Sequence, residues 1–170
     1  YTLFHMHVSE GDLKEFIIDS GLVAKKEIDA ADEEAKTREQ SLGDILVSRG
    51  SLTEDMLRRI QAYVLGIPFI NLKEHRVDAD ILALIPEPIA RTHNIIAFRK
   101  EEGSLEVAML DVDDLASIDS VRKKTGLKIL PRLTDTESIK FALLQYQKSL
   151  KDEFGDIIST EAGKIRVITE

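Results

Sequence analysis

The chain has no cysteine and no tryptophan. Without a thiol there is no disulfide framework, no thiolate metal site and no cysteine nucleophile. Aromatic residues are scarce, at 5%, a composition that leans towards helix in a globular chain. No run approaches the roughly 18 uninterrupted apolar residues of a membrane span, and the first residues lack the basic and apolar regions of a signal peptide. The expectation is a cytoplasmic protein with no direct membrane span. Positive charge is also short. Lysine and arginine number 23 against 31 acidic residues, a net charge of −8, which repels nucleic acid unless a local basic stripe overcomes the field. Arg58-Arg59 and Arg122-Lys123-Lys124 are the candidates. Acidic residues surround both, so they read as solvated helix faces and no nucleic-acid partner is expected.

What the chain does have is 43% hydrophobic residues over 170 positions, enough to bury a core as one domain or two small ones without a metal. Sliding its first part against itself reveals a repeat at an offset of 29 residues. Gly21 falls on Gly50, Leu13 on Leu42, Ile17 on Leu46, Ile18 on Val47, Val23 on Leu52 and Ile28 on Leu57. Each copy reads as a helical pair. In the second, Leu42, Ile45, Leu46 and Arg49 keep helical spacing up to Gly50, Thr53 caps the next helix, and Met56, Leu57, Ile60 and Val64 form its apolar stripe. In the first, Leu13, Phe16, Ile17 and Ser20 precede Gly21, and a helix from Ala24 to Glu39 turns Ile28, Ala31 and Ala35 inward.

Gly66 and Pro68 end this pattern, and the chain leaves in extended form with Ile67, Phe69, Ile70 and Leu72. A short helix over Ala79 to Ile85 and a turn over Ile89 to His93 follow. The period then changes. Ile95 to Phe98 and Leu105 to Leu110 flank a charged, glycine-containing turn and predict a β-hairpin. A helix from Asp114 to Thr125, a strand from Lys128 to Leu133 and a helix from Thr136 to Lys148 complete a ββαβα order, with Pro131 marking an edge strand or a strand end. The fold class is α+β: residues 1–11 as an unstructured or cloning-derived start, 12–66 as a helical repeat of two hairpins, 67–148 as a sheet-and-helix subdomain, and 149–170 as a linker towards a missing ATPase region. Lys164 to Thr169 would form a strand only with a partner.

Ser41-Leu42-Gly43-Asp44-Ile45-Leu46-Val47-Ser48-Arg49-Gly50, then Leu57, then Leu65-Gly66-Ile67-Pro68-Phe69, resembles the N-terminal domain of type II secretion and type IV pilus-assembly ATPases. Leu84-Ile85-Pro86-Glu87 with Ala90-Arg91, Leu105 to Met109 leading to Asp111 and Asp114, Thr125-Gly126 and the Ile139-to-Tyr146 helix continue the likeness in order. The resemblance implies a bacterial, mobile, non-catalytic appendage that docks on the cytoplasmic part of an inner-membrane platform protein. It also implies a parent that is a homo-hexamer hydrolysing ATP with Mg in separate domains. This chain has no G-x-x-x-x-G-K-[ST] and so no loop to cradle a phosphate.

One branch of that family, the MshEN domains, binds cyclic di-GMP through tandem motifs of the form R-L-G-x-x-L-x-x-x-G with a later glutamine, and the repeat matches that arrangement. Residue by residue, the second copy keeps Leu42, Gly43, Leu46, Gly50 and Leu57 but has Ser41 at the arginine and Val64 at the glutamine. The first keeps Leu13, Ile17, Gly21 and Ile28 but has Asp12 at the arginine, Lys14 at the glycine and Ala35 at the glutamine. The resemblance therefore names Leu13, Ile17, Gly21, Leu42, Gly43, Leu46 and Gly50 as candidate cyclic di-GMP positions. The arginine that would fork onto guanine or phosphate is absent, and the docking reading is preferred. Asp111, Asp113 and Asp114 follow a strand; Asp111 and Asp114 are the candidate metal carboxylates, with helix capping the simpler use of Asp113 or Asp114. His5, His7, His75 and His93 show no metal-ligand spacing.

Overall fold

Short polar side chains start most of the helices. The computed structural model describes residues 9–151. In it the hydroxyl of Ser9 accepts from the Asp12 N–H at 3.1 Å and opens α1 (Glu10–Ser20). Ser41 opens α3 (Leu42–Ser48) and Thr53 opens α4 (Glu54–Leu65) in the same way. This satisfies N–H groups that have no partner inside their own helix. The cap at Ser9 carries helix into residues 10 and 11, which sequence alone assigns to an unstructured start. Between α1 and α3 runs α2 (Lys25–Arg38), whose buried stripe is Ile28, Ala31 and Ala35. At the repeat's matching glycines the chain turns through the left-handed region, with φ of 69° at Gly21 and 79° at Gly50, where a Cβ is strained. The four helices enclose one core built from Leu13, Ile17, Ile28, Leu42, Ile45, Leu46, Leu57 and Ile60, among others.

After Gly66 the extended chain joins the sheet. The Ile70 N–H donates to the Leu133 carbonyl at 2.9 Å, and the Leu133 N–H to Pro68 at 3.1 Å. α5 (Ala79–Leu82) is shorter than its apolar pattern predicts, because the chain turns at Ala83 and Leu84 ahead of Pro86. α6 (Glu87–His93) admits Pro88 in its first turn, where a missing N–H costs nothing. β1 (Ile95–Glu101) pairs antiparallel with β2 (Ser104–Met109), in register from Ile95 with Met109 to Glu101 with Ser104 and with a bulge between Ala97 and Arg99. α7 (Leu115–Thr125) then crosses back to β3 (Lys128–Leu133), which lies parallel to β2. The order β1-β2-β3 puts Pro131 on an edge strand, as its missing N–H requires.

α8 occupies residues 136–151, running past Lys148 into the stretch read as linker. Asp135 caps it through Oδ1, accepting from the Ser138 N–H at 2.8 Å. Its inner side is wired to the chain before it. Leu72 donates to the Ser138 hydroxyl at 3.0 Å, the Gln145 amide bonds both the N–H and the carbonyl of Val77, and the Tyr146 hydroxyl lies 2.7 and 2.6 Å from the carbonyls of Leu82 and Ile85. Ile95, Ile96, Ala97, Leu105, Val107, Ala108 and Met109 form the middle of this second core. Consecutive buried residues on β1 and β2 mean that helices and loops cover both faces of the strands there. The segment 164–169 lies outside the described residues.

Candidate functional site

α4 belongs to both cores, with Leu57 and Ile60 packed among the repeat helices and Ala62 in the sheet half. Its first residue ties the halves together. Glu54 Oε1 accepts from the Thr136 N–H at 2.7 Å and from the Thr136 hydroxyl at 2.6 Å, so a carboxylate of α4 sits at the positive start of α8. Lys73 reinforces the joint, 3.0 Å from Asp135 and 3.8 Å from Asp55. The Asp135 hydrogen bond holds the Lys73 ammonium above its ordinary pKa. Burial pushes the Asp135 carboxyl up, but hydrogen bonds from Ser138 and Lys73 prevail and leave it below its ordinary value.

Beside this joint a cleft of about 380 Å³ opens between the halves. Glu10, Ser41 and Asp44 line it from the first half, Arg58 and Gln61 from α4, and Asp111 and Asp113 from the β2–α7 turn. Two sets of candidates distant in sequence therefore meet here: the arginine position of the second motif, Ser41, and the acidic strand end, Asp111. Leu13, Ile17, Gly21, Leu42, Gly43, Leu46 and Gly50 do not line the cleft.

The motif positions have structural occupations of their own. Leu13, Ile17, Leu42 and Leu46 are no more than 2% exposed and make up the repeat core. Gly43 packs closely on α4: a Cβ built there would lie 2.7 Å from Leu57 Cδ1 and 3.1 Å from Cδ2, so the leucine would have to shift. The first copy solves the same crossing differently. Lys14 stands at the position of Gly43 and turns its ammonium to Asp32, 2.9 Å away, a hydrogen bond that raises the lysine's pKa and lowers the aspartate's. At the arginine position of the second copy, the Ser41 hydroxyl accepts from the Asp44 N–H at 3.1 Å while Glu10 Oε2 accepts from the Leu42 N–H at 2.9 Å. An internal carboxylate thus already holds the helix start that a ligand anion would seek.

Arg58 is a cleft residue, not part of a solvated face. Its side chain is 23% exposed, Nη1 donates to Gln61 Oε1 at 3.1 Å, and Nε is buried with no hydrogen bond, 3.8 Å from Glu54. Arg59 is outward, paired with Asp55 at 2.8 Å and seated 4.5 Å over the Phe69 ring. Arg122 and Lys123 are exposed and pair with Asp119 on their own helix. Asp114 caps α7, accepting from the Ser117 N–H at 3.2 Å and its hydroxyl at 2.5 Å, and Asp111 Oδ1 accepts from the Asp113 N–H at 2.9 Å. Among the described residues no three His, Asp or Glu side chains are grouped to hold a metal ion. His75 and His93 are exposed, and His5 and His7 lie outside the described residues.

A helical repeat sharing one helix with a small sheet domain defines the class of N-terminal domain found in secretion and pilus ATPases. The MshEN domain model matches residues 65–153, and the chain belongs to the MshEN domain family. The chain is 28% identical over 160 residues to the type IV pilus assembly ATPase PilB of Myxococcus xanthus, covering 94% of this chain and 28% of that protein. It is 29% identical over 136 residues to PilB of Thermus thermophilus, covering 79% of this chain and 15% of the relative. It therefore spans less than a third of these curated relatives. Among solved structures, MshE with cdg superposes with a TM-score of 0.67 at 25% identity, over 79% of this chain and 97% of that one. The N-terminal domain of XpsE shares the fold, with a TM-score of 0.58 at 18% identity over 81% and 95% of the two chains. Among the described residues no helix is long and apolar enough to cross a membrane.

Proposed function

We propose that this domain is a non-catalytic docking and regulatory module of a bacterial pilus or secretion motor, binding the cytoplasmic part of an inner-membrane platform protein. The observation that carries the reading is the match to PilB over 94% of this chain and only 28% of that ATPase, in a sequence without the phosphate-cradling G-x-x-x-x-G-K-[ST]. In this reading ATP and Mg are handled elsewhere in a hexameric parent, and the domain works in the cytoplasm, held near the membrane by its partner. The two halves sharing α4 suit such a role, since a partner seated on either half meets the helix that packs in both cores. Titration with the cytoplasmic domain of the platform protein encoded beside the gene should give saturable binding. Absence of binding under conditions where the whole motor assembles would refute the reading.

The structure of MshE with cdg favours a second reading, a cyclic di-GMP sensor with degenerate motifs. The chemistry of the cleft weighs against it. Four carboxylates, Glu10, Asp44, Asp111 and Asp113, line the cleft with the single guanidinium of Arg58, a poor setting for a phosphodiester dianion. Ser41 and Asp12 supply no guanidinium where the motifs have one. Calorimetry with cyclic di-GMP separates the readings: docking expects no micromolar binding, whereas micromolar affinity would establish the sensor.

A further inference from the structure

α8 presents a side that nothing in the described fold covers. Ile139, Ala142 and Tyr146 face the sheet core, while Phe141 and Leu144 on the other side are 39% and 62% exposed. Three positions apart, they share one helical face. With Arg76, Gln145 and Lys148 they line a shallow cleft of about 230 Å³. Helical spacing puts Lys140 and Lys151 on the same stripe, and Arg76, Lys140, Lys148 and Lys151 are all exposed. Among the described residues Glu137 is the one acid on it.

Among the described residues none of these four cations takes part in an ion pair. Elsewhere in the fold Arg132 pairs with Glu106, Lys14 with Asp32, and Arg122 with Asp119. On a chain of net charge −8, unpaired positive charge is thus gathered around two exposed apolar side chains. An apolar centre with a charged rim is the anatomy of a protein interface, and its charge selects the partner. A second copy is disfavoured, because the stripe would meet its own cations and each copy carries −8. An anionic bilayer is disfavoured by the same net charge.

We propose that the Phe141–Leu144 face of α8 is a docking site for an acidic segment of a protein partner. A large apolar side chain of that segment seats between Phe141 and Leu144, and its carboxylates meet Arg76, Lys140 and Lys148. The inference rests on the docking reading and gives it a surface and a partner chemistry.

The test titrates the full chain with the platform protein's cytoplasmic domain and maps lysine acetylation with and without it. Leu144→Asp should weaken binding at least about tenfold, as loss of a central apolar anchor does, and Lys140→Glu with Lys148→Glu should do so by about the same factor. Lys140 and Lys148 should be shielded from acetylation in the complex. These positions are exposed, so the variants should keep the circular dichroism of the parent chain. Tyr63→Ala, at a 73% exposed residue of the repeat half, should bind as the parent does. Binding that ignores both α8 variants overturns this face and leaves the docking reading standing, whereas no binding by the parent chain removes the docking reading itself. A concentration-dependent dimer abolished by Leu144→Asp, or retention on phosphatidylglycerol vesicles abolished by it, would also overturn the proposal by assigning the face to a second copy or to lipid.

Discussion

Gly43→Ala tests whether the motif glycine is held by packing. The new Cβ would meet Leu57 Cδ1 at 2.7 Å, far inside the normal carbon–carbon separation of about 3.5–4.0 Å. Leu57 is 2% exposed, so its methyls have little free space to enter. Overpacking of this kind costs about 1–3 kcal/mol. Replacing glycine by alanine in a helix returns up to about 1 kcal/mol. The net expectation is a loss of about 0–2.5 kcal/mol. The decisive measurement is a double-mutant cycle with Leu57→Ala, read by urea unfolding at constant m. With the leucine methyls gone, the clash disappears and only the propensity gain remains, so Gly43→Ala should change sign and stabilise by about 0.5–1 kcal/mol. A coupling energy of about 1–3 kcal/mol follows. If Gly43→Ala has the same effect in both backgrounds within about 0.5 kcal/mol, the contact with Leu57 does not explain the glycine.

Glu54→Ala should cost about 1–2 kcal/mol of stability, because Thr136 at the start of α8 loses its acceptor and the buried Arg58 Nε loses its nearest carboxylate; urea unfolding reads it, and no loss would show that the Glu54–Thr136 bonds do not hold the halves together. Asp135 makes stability acid-sensitive. Its folded pKa lies below its unfolded value, so on acidification the unfolded chain binds the proton first; the contribution is present above about pH 4 and is lost as the pH falls through the folded value. Asp135→Asn should flatten that part of the stability–pH curve, and an unchanged slope would refute the assignment. Tyr146→Phe should cost about 1–3 kcal/mol in thermal or urea unfolding by removing the one hydroxyl proton shared by the buried carbonyls of Leu82 and Ile85, and a neutral effect would mean that water replaces the hydroxyl.

Local rules made the elements legible. Thr53, Asp114 and the glycines at 21, 66 and 126 marked helix ends because capping depends on neighbours in sequence, and Pro131 marked an edge because a missing N–H is a property of one residue. The 29-residue offset exposed the paired hairpins, since matching apolar positions build matching helices. The start of α1 at Glu10 and the continuation of α8 past Lys148 were less legible, for where a helix starts or stops depends on which caps win locally. The cleft was only half legible. Absence of the motif arginines could be read at Asp12 and Ser41, but the carboxylates that occupy the helix starts could not, because Glu10 reaches Leu42 across 32 residues and Glu54 reaches Thr136 across 82. Arg58 shows the limit most clearly. Beside Arg59 and near acidic residues it looked solvated, yet one helical step turns the first guanidinium into the cleft and leaves the second outside over Phe69. Helical periodicity separates the two faces of α4 but does not say what each faces. Only the sheet half, folding back against the same helix, makes one of those arginines a cleft residue. In the same way, the apolar frame at Leu42, Leu46 and Leu57 is accounted for by the core it builds, and needs no nucleotide to explain it.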